Sequence, residues 1–319
     1  MTARNRNKKT VQFADIAVDS LEPNQTLPAK FKRMLKRFKL KDRVEDKSVG
    51  IKMHLGGNLG YTTIHPLFVR ILVEELKAAG AKSVKAMDGN AQDGIARGYT
   101  REVLGCPVVS TFGEGGKYYY PEKIGFKDLE EALFSGEALD CDFLIDLSHV
   151  KGHGDCGFGG ALKNIAMGMV PQKTRFDIHG LEGGITYDPD KCTYCLKCYE
   201  ACPNDAIKLK KKEKKVYIFF HNCTYCQHCE MVCPTGATKM EERQFDDFSK
   251  GMVEVTAAFL KKFDPENLLY INFLTDITIY CDCWGMSTPS LVPDIGILGS
   301  DDIAAIETAS LDMIKTENL

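Results

Sequence analysis

The chain has 319 residues, a formal net charge of −3 and 44% hydrophobic residues, enough length for one large domain or two ordinary ones around a buried core. This charge excludes a general nucleic-acid binder. No apolar run reaches the roughly 18 residues of a membrane span, and "MTARNRNKKTVQFADIAV" lacks the apolar region and cleavage site of a secretory signal. A cytoplasmic location is therefore expected, where thirteen cysteines point to metal and not to disulfides.

In chain order, residues 1–47 form a basic N-terminal segment, with Lys8, Lys9, Lys30, Lys32, Arg33, Lys36, Arg37 and Lys39. "SVGIKMHLG" (48–56) reads as a strand. "HPLFVRILVEELKAAG" (65–80) is apolar at helical spacing through Leu67, Ile71, Leu72 and Leu76, with Gly80 closing the helix. "VKAMDGNA" (84–91) is the next strand, and strand–helix–strand order predicts a parallel α/β unit. "LEEALFSGEAL" (129–139) is predicted helical, "CDFLIDLSHV" (141–150) a buried strand and "GGALKNIAMGM" (159–169) a helix. Residues 184–240 change character and hold eight cysteines. The α/β pattern then resumes with a helix (245–263), strands at 268–280 and 294–300, and a helix (300–315) with Ser300 at its N-cap. The expected fold is thus α/β, a parallel or mixed sheet flanked by helices. Its domain is discontinuous, 48–183 and 241–319, with 184–240 inserted.

The inserted stretch repeats "CTYCLKCYEACP" (192–203) and "HNCTYCQHCEMVCP" (221–234). Both match Cys-x2-Cys-x2-Cys-x3-Cys-Pro and resemble the runs of bacterial two-cluster ferredoxins. "NDAI" (204–207) and "TGAT" (235–238) follow the two prolines, which supports an internal duplication. The resemblance implies two 4Fe–4S clusters and one-electron transfer. One cluster would take Cys192, Cys195, Cys198 and Cys233; the other would take Cys223, Cys226, Cys229 and Cys202. Two structural zinc sites are the competing reading, but zinc usually takes separated Cys-x2-Cys pairs. Between the repeats, "KLKKKEKK" (208–215) is either solvated surface or a docking surface for an acidic redox partner.

"SHVKGHGDCGFGGALKNIAMG" (148–168) contains a literal Gly-x-Gly-x-x-Gly at Gly152, Gly154 and Gly157, between a predicted strand and a predicted helix. Its bulky intervening His153, Asp155 and Cys156 suit a pyrophosphate turn poorly. Three readings stand: a dinucleotide loop, an anion site at the helix start assisted by Lys151 and Lys163, and plain close packing. His149, His153 and Cys156 also have the chemistry of metal ligands. Walker and flavin fingerprints are absent from the sequence.

Together with the double cysteine repeat, "HVKGHGDCGFGGALKNIAMG", "INFLTDITIYCDCW" and "PDIGILGSDDIAAIETAS" resemble the domain of unknown function 362 family of iron–sulfur proteins, over roughly 48–316. The resemblance implies an α/β domain carrying a two-cluster ferredoxin module, in anaerobic bacteria and archaea. Members keep the Ala161–Asn164 run and the Cys281–Cys283 Cys-Asp-Cys run. Many have Met-Gly-Cys where Met167, Gly168 and Met169 stand here, so no ligand role passes to Met169. The α/β part is also distantly similar to the lactate-racemase family.

Cys281 and Cys283 in "IYCDCWGM" (279–286) lie outside the repeats and follow a predicted strand. Loops at the carboxyl ends of parallel strands form the ligand crevice of such folds, so "GNLG" (57–60), "DGN" (88–90) and "GHGDC" (152–156) are expected to converge there. Asp282 suggests a polar mouth. The two thiols read as inert core groups, as ligands of a third metal centre with His153, Cys156, His179 or His54, or as a redox or nucleophilic pair. Cys106 and Cys141 read as core thiols.

The functional expectation is an iron–sulfur redox protein that moves single electrons to or from this α/β site, with His153, Lys163, Cys281 and Cys283 as candidate catalytic groups. The alternatives are a carrier whose α/β domain is a docking scaffold, and a cluster-regulated metal- or nucleotide-binding protein. A ferredoxin- or flavin-type redox partner is expected, with neither nucleic acid nor a membrane span. Oligomeric state is not legible in the sequence.

Overall fold

Strands β1 (Val11–Asp15), β2 (Ser48–Met53), β3 (Ser83–Asp88), β4 (Val108–Ser110), β5 (Phe143–His149), β6 (Leu268–Leu274) and β7 (Gly296–Ser300) build one mixed sheet. Their order is β1-β7-β6-β5-β2-β3-β4. From β6 to β4 all neighbours are parallel, while β7 runs antiparallel between β6 and β1. The computed structural model describes residues 9–57, 60–223, 226–284 and 288–315. Lys8, residues 58–59 of "GNLG" and residues 285–286 of "IYCDCWGM" lie outside the described residues.

The two faces of this sheet differ, because successive strand residues point to opposite sides. Val49, Ile51, Met53, Ile145, Leu147, Ile271 and Phe273 form one apolar face. Helices α1 (Leu27–Lys36) and α2 (Pro66–Ala78) cover it. The former buries Leu27, Phe31, Met34 and Leu35; the latter buries Val69, Leu72, Val73 and Leu76, each a stripe at helical spacing. Phe273 meets the rings of Phe31 and Phe68 edge-on, at 5.6 and 5.1 Å. The residues one position along, Lys52, Asp146, Ser148 and Asn272, are buried on the other face. Helices α3 (Ala161–Gly168) and α4 (Ile303–Met313) pack there. Residues 11–44, set apart by their basic charge in sequence, supply β1 and α1 to this layered unit.

The chain divides into two compact units. The first holds the sheet; the second comprises Gly125–Glu130 and Gln172–Gly251, and contains the 184–240 stretch. Within the second, Gly183–Tyr187 pairs antiparallel with Thr238–Arg243, and Ile207–Lys210 with Lys215–Ile218. Ile185, Cys198, Ile207, Val216 and Ile218 form its small core. Among the described residues no helix is long and apolar enough to cross a membrane.

Several elements differ from expectation. Residues 129–139 are not one helix: Leu129–Ser135 is a strand paired with Tyr119–Phe126, followed by a single turn, Gly136–Leu139. Ala132 and Phe134 alternate inward, and Ser135 caps the turn by accepting from Ala138 N–H at 3.1 Å. Tertiary pairing overrides the helical propensity of Leu, Glu and Ala there. β6 ends at Leu274, six residues short of the expected bound, and Asp276 takes a left-handed φ of 49° just beyond it. Ser300 ends β7; the N-cap of α4 is Asp302, which accepts from Ala305 N–H at 2.8 Å. Gly80 follows α2 at φ 88°, the left-handed stop expected of it.

The polar face is held by two nodes. In one, Lys52 Nζ donates to Asp88 Oδ1 at 3.0 Å, to Asn164 Oδ1 at 2.8 Å and to the Met53 carbonyl. Asp88 Oδ2 accepts from Leu55 N–H at 2.9 Å. Burial opposes the Asp88 charge, but Lys52 and His54 outweigh it and hold the carboxyl far below its ordinary range. Asp146 Oδ1 accepts from Asn164 Nδ2 and Ser148 Oγ, both at 2.6 Å, while its Oδ2 is buried with no hydrogen-bond partner. Burial therefore dominates and raises Asp146 to about 7. In the second node, Asp282 is paired with Lys151 and lies 3.2 Å from His149 Nδ1; His149 Nε2–H donates to Thr275 O at 2.7 Å. All three side chains are about 1% exposed. Burial works against the Asp282 charge, yet His149 and Lys151 hold the carboxyl down at about 2.

Two predictions follow from this polar face. A carboxyl raised in the fold favours folding below its unfolded value near 4 and loses that contribution as pH rises through about 7. Asp146→Asn should therefore be more stable than the parent at pH 8, by on the order of a few kcal/mol. The gap should narrow toward pH 4 in guanidinium unfolding; a pH-independent gap would show that Asp146 titrates normally. Asp282→Asn strands the Lys151 charge in the interior, and its denaturation midpoint at pH 7 should fall by the equivalent of about 3–5 kcal/mol.

Candidate functional site

Parallel strands place their carboxyl ends along one edge of a sheet, where loops can converge. Here β2 runs directly into His54, β3 ends on Asp88 and β5 ends on His149. The loop after β6 carries Cys281 and a single 3-10 turn, Asp282–Trp284. It crosses the hairpin formed by Lys151–His153 and Gly157–Gly159. Gly152 N–H donates to Thr278 O at 2.9 Å, and a Cβ at Gly152 would stand 2.5 Å from Ile279 O. Only glycine permits that approach. On the other side, Gly57 N–H donates to Asp282 O at 3.2 Å.

Within this frame the two thiols have unequal surroundings. Cys281 Sγ, buried, receives Lys163 Nζ at 3.4 Å and Cys283 N–H at 3.5 Å. Hydrogen bonding from the Cys283 thiol, with the charges of Lys163 and His54, outweighs burial and holds Cys281 well below the usual thiol range. Cys283, the donor of that bond and itself buried from charge-stabilising solvent, is pushed well above it. Burial disfavours the charged form of Lys163, but the Cys281, Cys283 and Cys156 sulfurs raise it above its ordinary value. Burial likewise lifts Cys156 to about 11, and its Sγ donates to Phe158 O at 3.1 Å.

Two imidazoles approach this pair. His54, Cys281 and Cys283 each offer one ligand atom, all within 4.8 Å of one another. His54 Nδ1 lies 3.6 Å from Asp88 Oδ2, and its Nε2 is buried with no nitrogen or oxygen partner, the ring's other contact being with Cys281. Burial opposes a charge on His54, but Asp88 and Cys281 raise it to about 9. His153 Nε2 is 3.9 Å from Cys283 Sγ, and its Nδ1 accepts from Asp155 N–H at 3.1 Å. Two adjacent sulfurs, with an imidazole between them and a carboxylate, can take a soft metal or undergo thiol chemistry.

His54, His153, Lys163, Cys281 and Cys283 are thus gathered in the first unit, and Cys156 acts electrostatically on Lys163. His179 belongs to the second unit, where it stacks on Phe248 at 4.9 Å beside Glu182, 3.6 Å away. Cys106 and Cys141 are buried, as expected of core thiols. Asp282 is not at a polar mouth but inside, because Lys151 and His149 neutralise it. The glycine run is not a strand-to-helix turn either: it is spread over the Lys151–Gly159 hairpin. The start of α3 already holds a carboxylate, since Ala161 N–H donates to Glu307 Oε1 at 2.6 Å. Lys151 and Lys163, expected to assist an anion there, are engaged by Asp282 and Cys281. Sequence reasoning missed Lys52, Asp88, Asn164 and Glu307 as supports of the site. Charged residues inside otherwise apolar strand patterns, Lys52 and Asp146 above all, were the available signal.

The second unit presents two cavities of a different kind. Cys192, Cys195, Cys198 and Cys233 line one, with Tyr187 and Val216 behind them. Cys202, Cys223, Cys226 and Cys229 line the other, with Ile185 and Met240. Leu196 and Gln227, one residue after the second cysteine of each run, take matching left-handed φ values of 64° and 68°. Each opens a single-turn helix, Lys197–Glu200 and His228–Met231, that carries the third cysteine. Backbone donors point at three sulfurs: Tyr194 N–H at Cys192 (3.4 Å), Ala206 N–H at Cys202 (3.1 Å) and Ala237 N–H at Cys233 (3.2 Å).

No curated protein matches the chain. Among solved structures, the lactate racemase apoprotein of Thermoanaerobacterium thermosaccharolyticum is similar at 16% identity and a TM-score of 0.39, over 88% of this chain and 54% of that one. A Thermotoga maritima protein from a structural genomics programme is similar at 12% identity and a TM-score of 0.41, over 80% of this chain and 52% of that one. The chain spans about half the length of each. The model of one family, described as Domain of unknown function (DUF362), matches residues 49–312, and the chain belongs to that family.

Proposed function

We propose that this protein is an iron–sulfur redox protein that moves single electrons to or from the thiol site of its α/β unit. Cys192, Cys195, Cys198 and Cys233 hold one 4Fe–4S cluster; Cys223, Cys226, Cys229 and Cys202 hold the other. The observation that carries this reading is the make-up of the two cavities. Each is lined by three cysteines of one repeat and the distal cysteine of the other. That crossed set of four thiols matches the ligation of bacterial two-cluster ferredoxins. The donor chemistry fits: sulfur only, with N–H groups aimed at three of the sulfurs, a contact that tunes cluster potential. Bound there, such clusters supply one-electron chemistry.

The partner in this reading is a ferredoxin- or flavin-type protein with an acidic docking face. Lys210, Lys211, Lys212 and Lys214 are exposed around the turn between Ile207–Lys210 and Lys215–Ile218, in the unit that carries the cavities. Opposite charge of this kind raises encounter rates more than affinity.

Anaerobically purified protein should hold about eight irons, and Cys195→Ala should lose about half of them together with one cluster's electron-spin signal. Full iron and an unaltered spectrum in that variant would refute the ligand assignment. Replacing Lys210, Lys211, Lys212 and Lys214 by Glu should slow reduction by an acidic ferredoxin about tenfold at low salt, with the difference fading in high salt. Rates insensitive to both changes would remove the lysine turn from the docking surface.

A further inference from the structure

We infer that the α/β unit holds one soft divalent metal ion, ligated by His54, Cys281 and Cys283, with a fourth position open to water or another oxygen ligand. This does not rest on the cluster reading, since all three ligands lie in the unit that carries the sheet. The first argument is convergence. The three donor atoms come from the end of β2 and from the loop after β6, yet lie within 4.8 Å of one another. In a tetrahedral zinc site, bonds of about 2.0–2.3 Å put donors somewhat under 4 Å apart. Small side-chain adjustments close that difference.

The second argument is the state of His54. Its Nε2 is buried with no nitrogen or oxygen partner, and the ring's other contact is with the Cys281 sulfur. A buried imidazole nitrogen met only by a thiol is poorly satisfied, and a metal shared with that sulfur would satisfy both. The opposite ring nitrogen faces the Asp88 carboxylate at 3.6 Å. A carboxylate behind one imidazole nitrogen, with the other nitrogen left for the metal, is how metal-binding histidines are oriented. Asp88 is itself fixed by Lys52 at 3.0 Å and by Leu55 N–H at 2.9 Å, so the orienting group is rigid.

The third argument is donor chemistry. Two thiolates and one imidazole exclude calcium and magnesium, which require oxygen, and suit zinc or ferrous iron. Three protein ligands with one open position are the pattern of reactive zinc sites, whereas structural sites are closed by four. Lys163 Nζ at Cys281 Sγ and His153 Nε2 near Cys283 Sγ place polar groups at both sulfurs without adding ligands. Asp282, between the ligands in sequence, is locked by Lys151 and His149, so the Cys-x-Cys turn is presented ready-made.

The test uses the anaerobically purified full-length protein with its native metal content. Elemental analysis should find one zinc per chain, or one iron beyond the cluster irons. Exchange with cobalt(II) should produce the thiolate-to-metal charge-transfer absorption of a tetrahedral sulfur site. Cys281→Ser and Cys283→Ser should each abolish that band while the cluster electron-spin signals persist. Asp88→Asn should weaken zinc binding about 10–100-fold. Where a variant does not fold, alkylation of the unmutated protein decides: bound metal should shield Cys281 and Cys283 from iodoacetamide until a chelator is added. Three results overturn the inference. They are no metal beyond cluster iron and no cobalt band; a metal retained in Cys281→Ser but lost in Cys195→Ala; or alkylation of Cys281 and Cys283 in the metal-loaded protein as fast as after the chelator is added. Failure of the cluster predictions with the cobalt band intact would leave this site standing.

Discussion

The pairing of Asp282 with Lys151 is the constraint around which the α/β unit is arranged. Both groups are about 1% exposed, and His149 adds a second contact to the same carboxylate. Burying a charge without a partner is far more costly than burying a pair. The loop after β6 must therefore bring Asp282 inward to meet residues that follow β5. Once Asp282 is fixed, its neighbours in sequence are placed as well: Cys281 goes inward to Lys163, and Cys283 stands toward His153. The close crossing at Gly152 is the backbone consequence of that geometry, since a side chain there would collide with Ile279 O.

The two faces of the sheet divide labour. The face covered by α1 and α2 is apolar, and its packing around Phe31, Phe68 and Phe273 stabilises the unit in the usual way. The face covered by α3 and α4 buries Lys52, Asp146, Ser148 and Asn272, groups that stabilise only when fully hydrogen-bonded. Asn164, on α3, joins them by accepting from Lys52 and donating to Asp146. Asn272 donates to Glu307 and Ser310 on α4. Such a face sacrifices some stability, most plainly at Asp146, whose second oxygen finds no partner. In exchange it fixes Asp88, and through Asp88 the ring of His54, at the sheet edge where the thiols lie. A polar interior that ends in an imidazole and two sulfurs is organised for binding more than for packing.

Much of this was legible in the residues, for identifiable reasons. Long apolar runs with helical or strand period marked β2, β3, β5 and α2 to α4 or their surroundings, because burial on both faces leaves few substitutes for Val, Ile and Leu, whereas α1 lay hidden in the basic segment. The gathering of His153, Lys163, Cys281 and Cys283 was expected from strand ends alone, since parallel topology forces those ends together. Residues 129–139 misled because Leu, Glu and Ala favour helix, while the pairing that makes them a strand is a hairpin with Tyr119–Phe126, whose side of the turn carries no strong strand pattern. The Gly-x-Gly-x-x-Gly match misled because spacing carries no information on backbone path: a hairpin, not a turn, separates β5 from α3. Asp282 misled because its partner, Lys151, is 131 positions away. Pairings across such distances set the burial of charges, and no local pattern records them.

The chain's sulfurs also sort by environment in a way that separates two chemistries. In the second unit, Cys195 and Cys226 are exposed, and the sulfurs in each cavity are met by backbone N–H groups and uncharged side chains. Four equivalent donors of that kind suit a polynuclear sulfur centre whose charge is spread over many atoms. At the sheet edge the arrangement is asymmetric: a buried sulfur against an ammonium, a second sulfur beside an imidazole, and a carboxylate-backed histidine opposite. Localised cationic partners stabilise a concentrated charge, the condition for a reactive thiolate or a single metal ion. The same element thus serves two different electrostatic designs in one chain. Those designs differ in what surrounds the sulfur and not in how many cysteines there are, which is why counting cysteines locates the first design and only the buried charges locate the second.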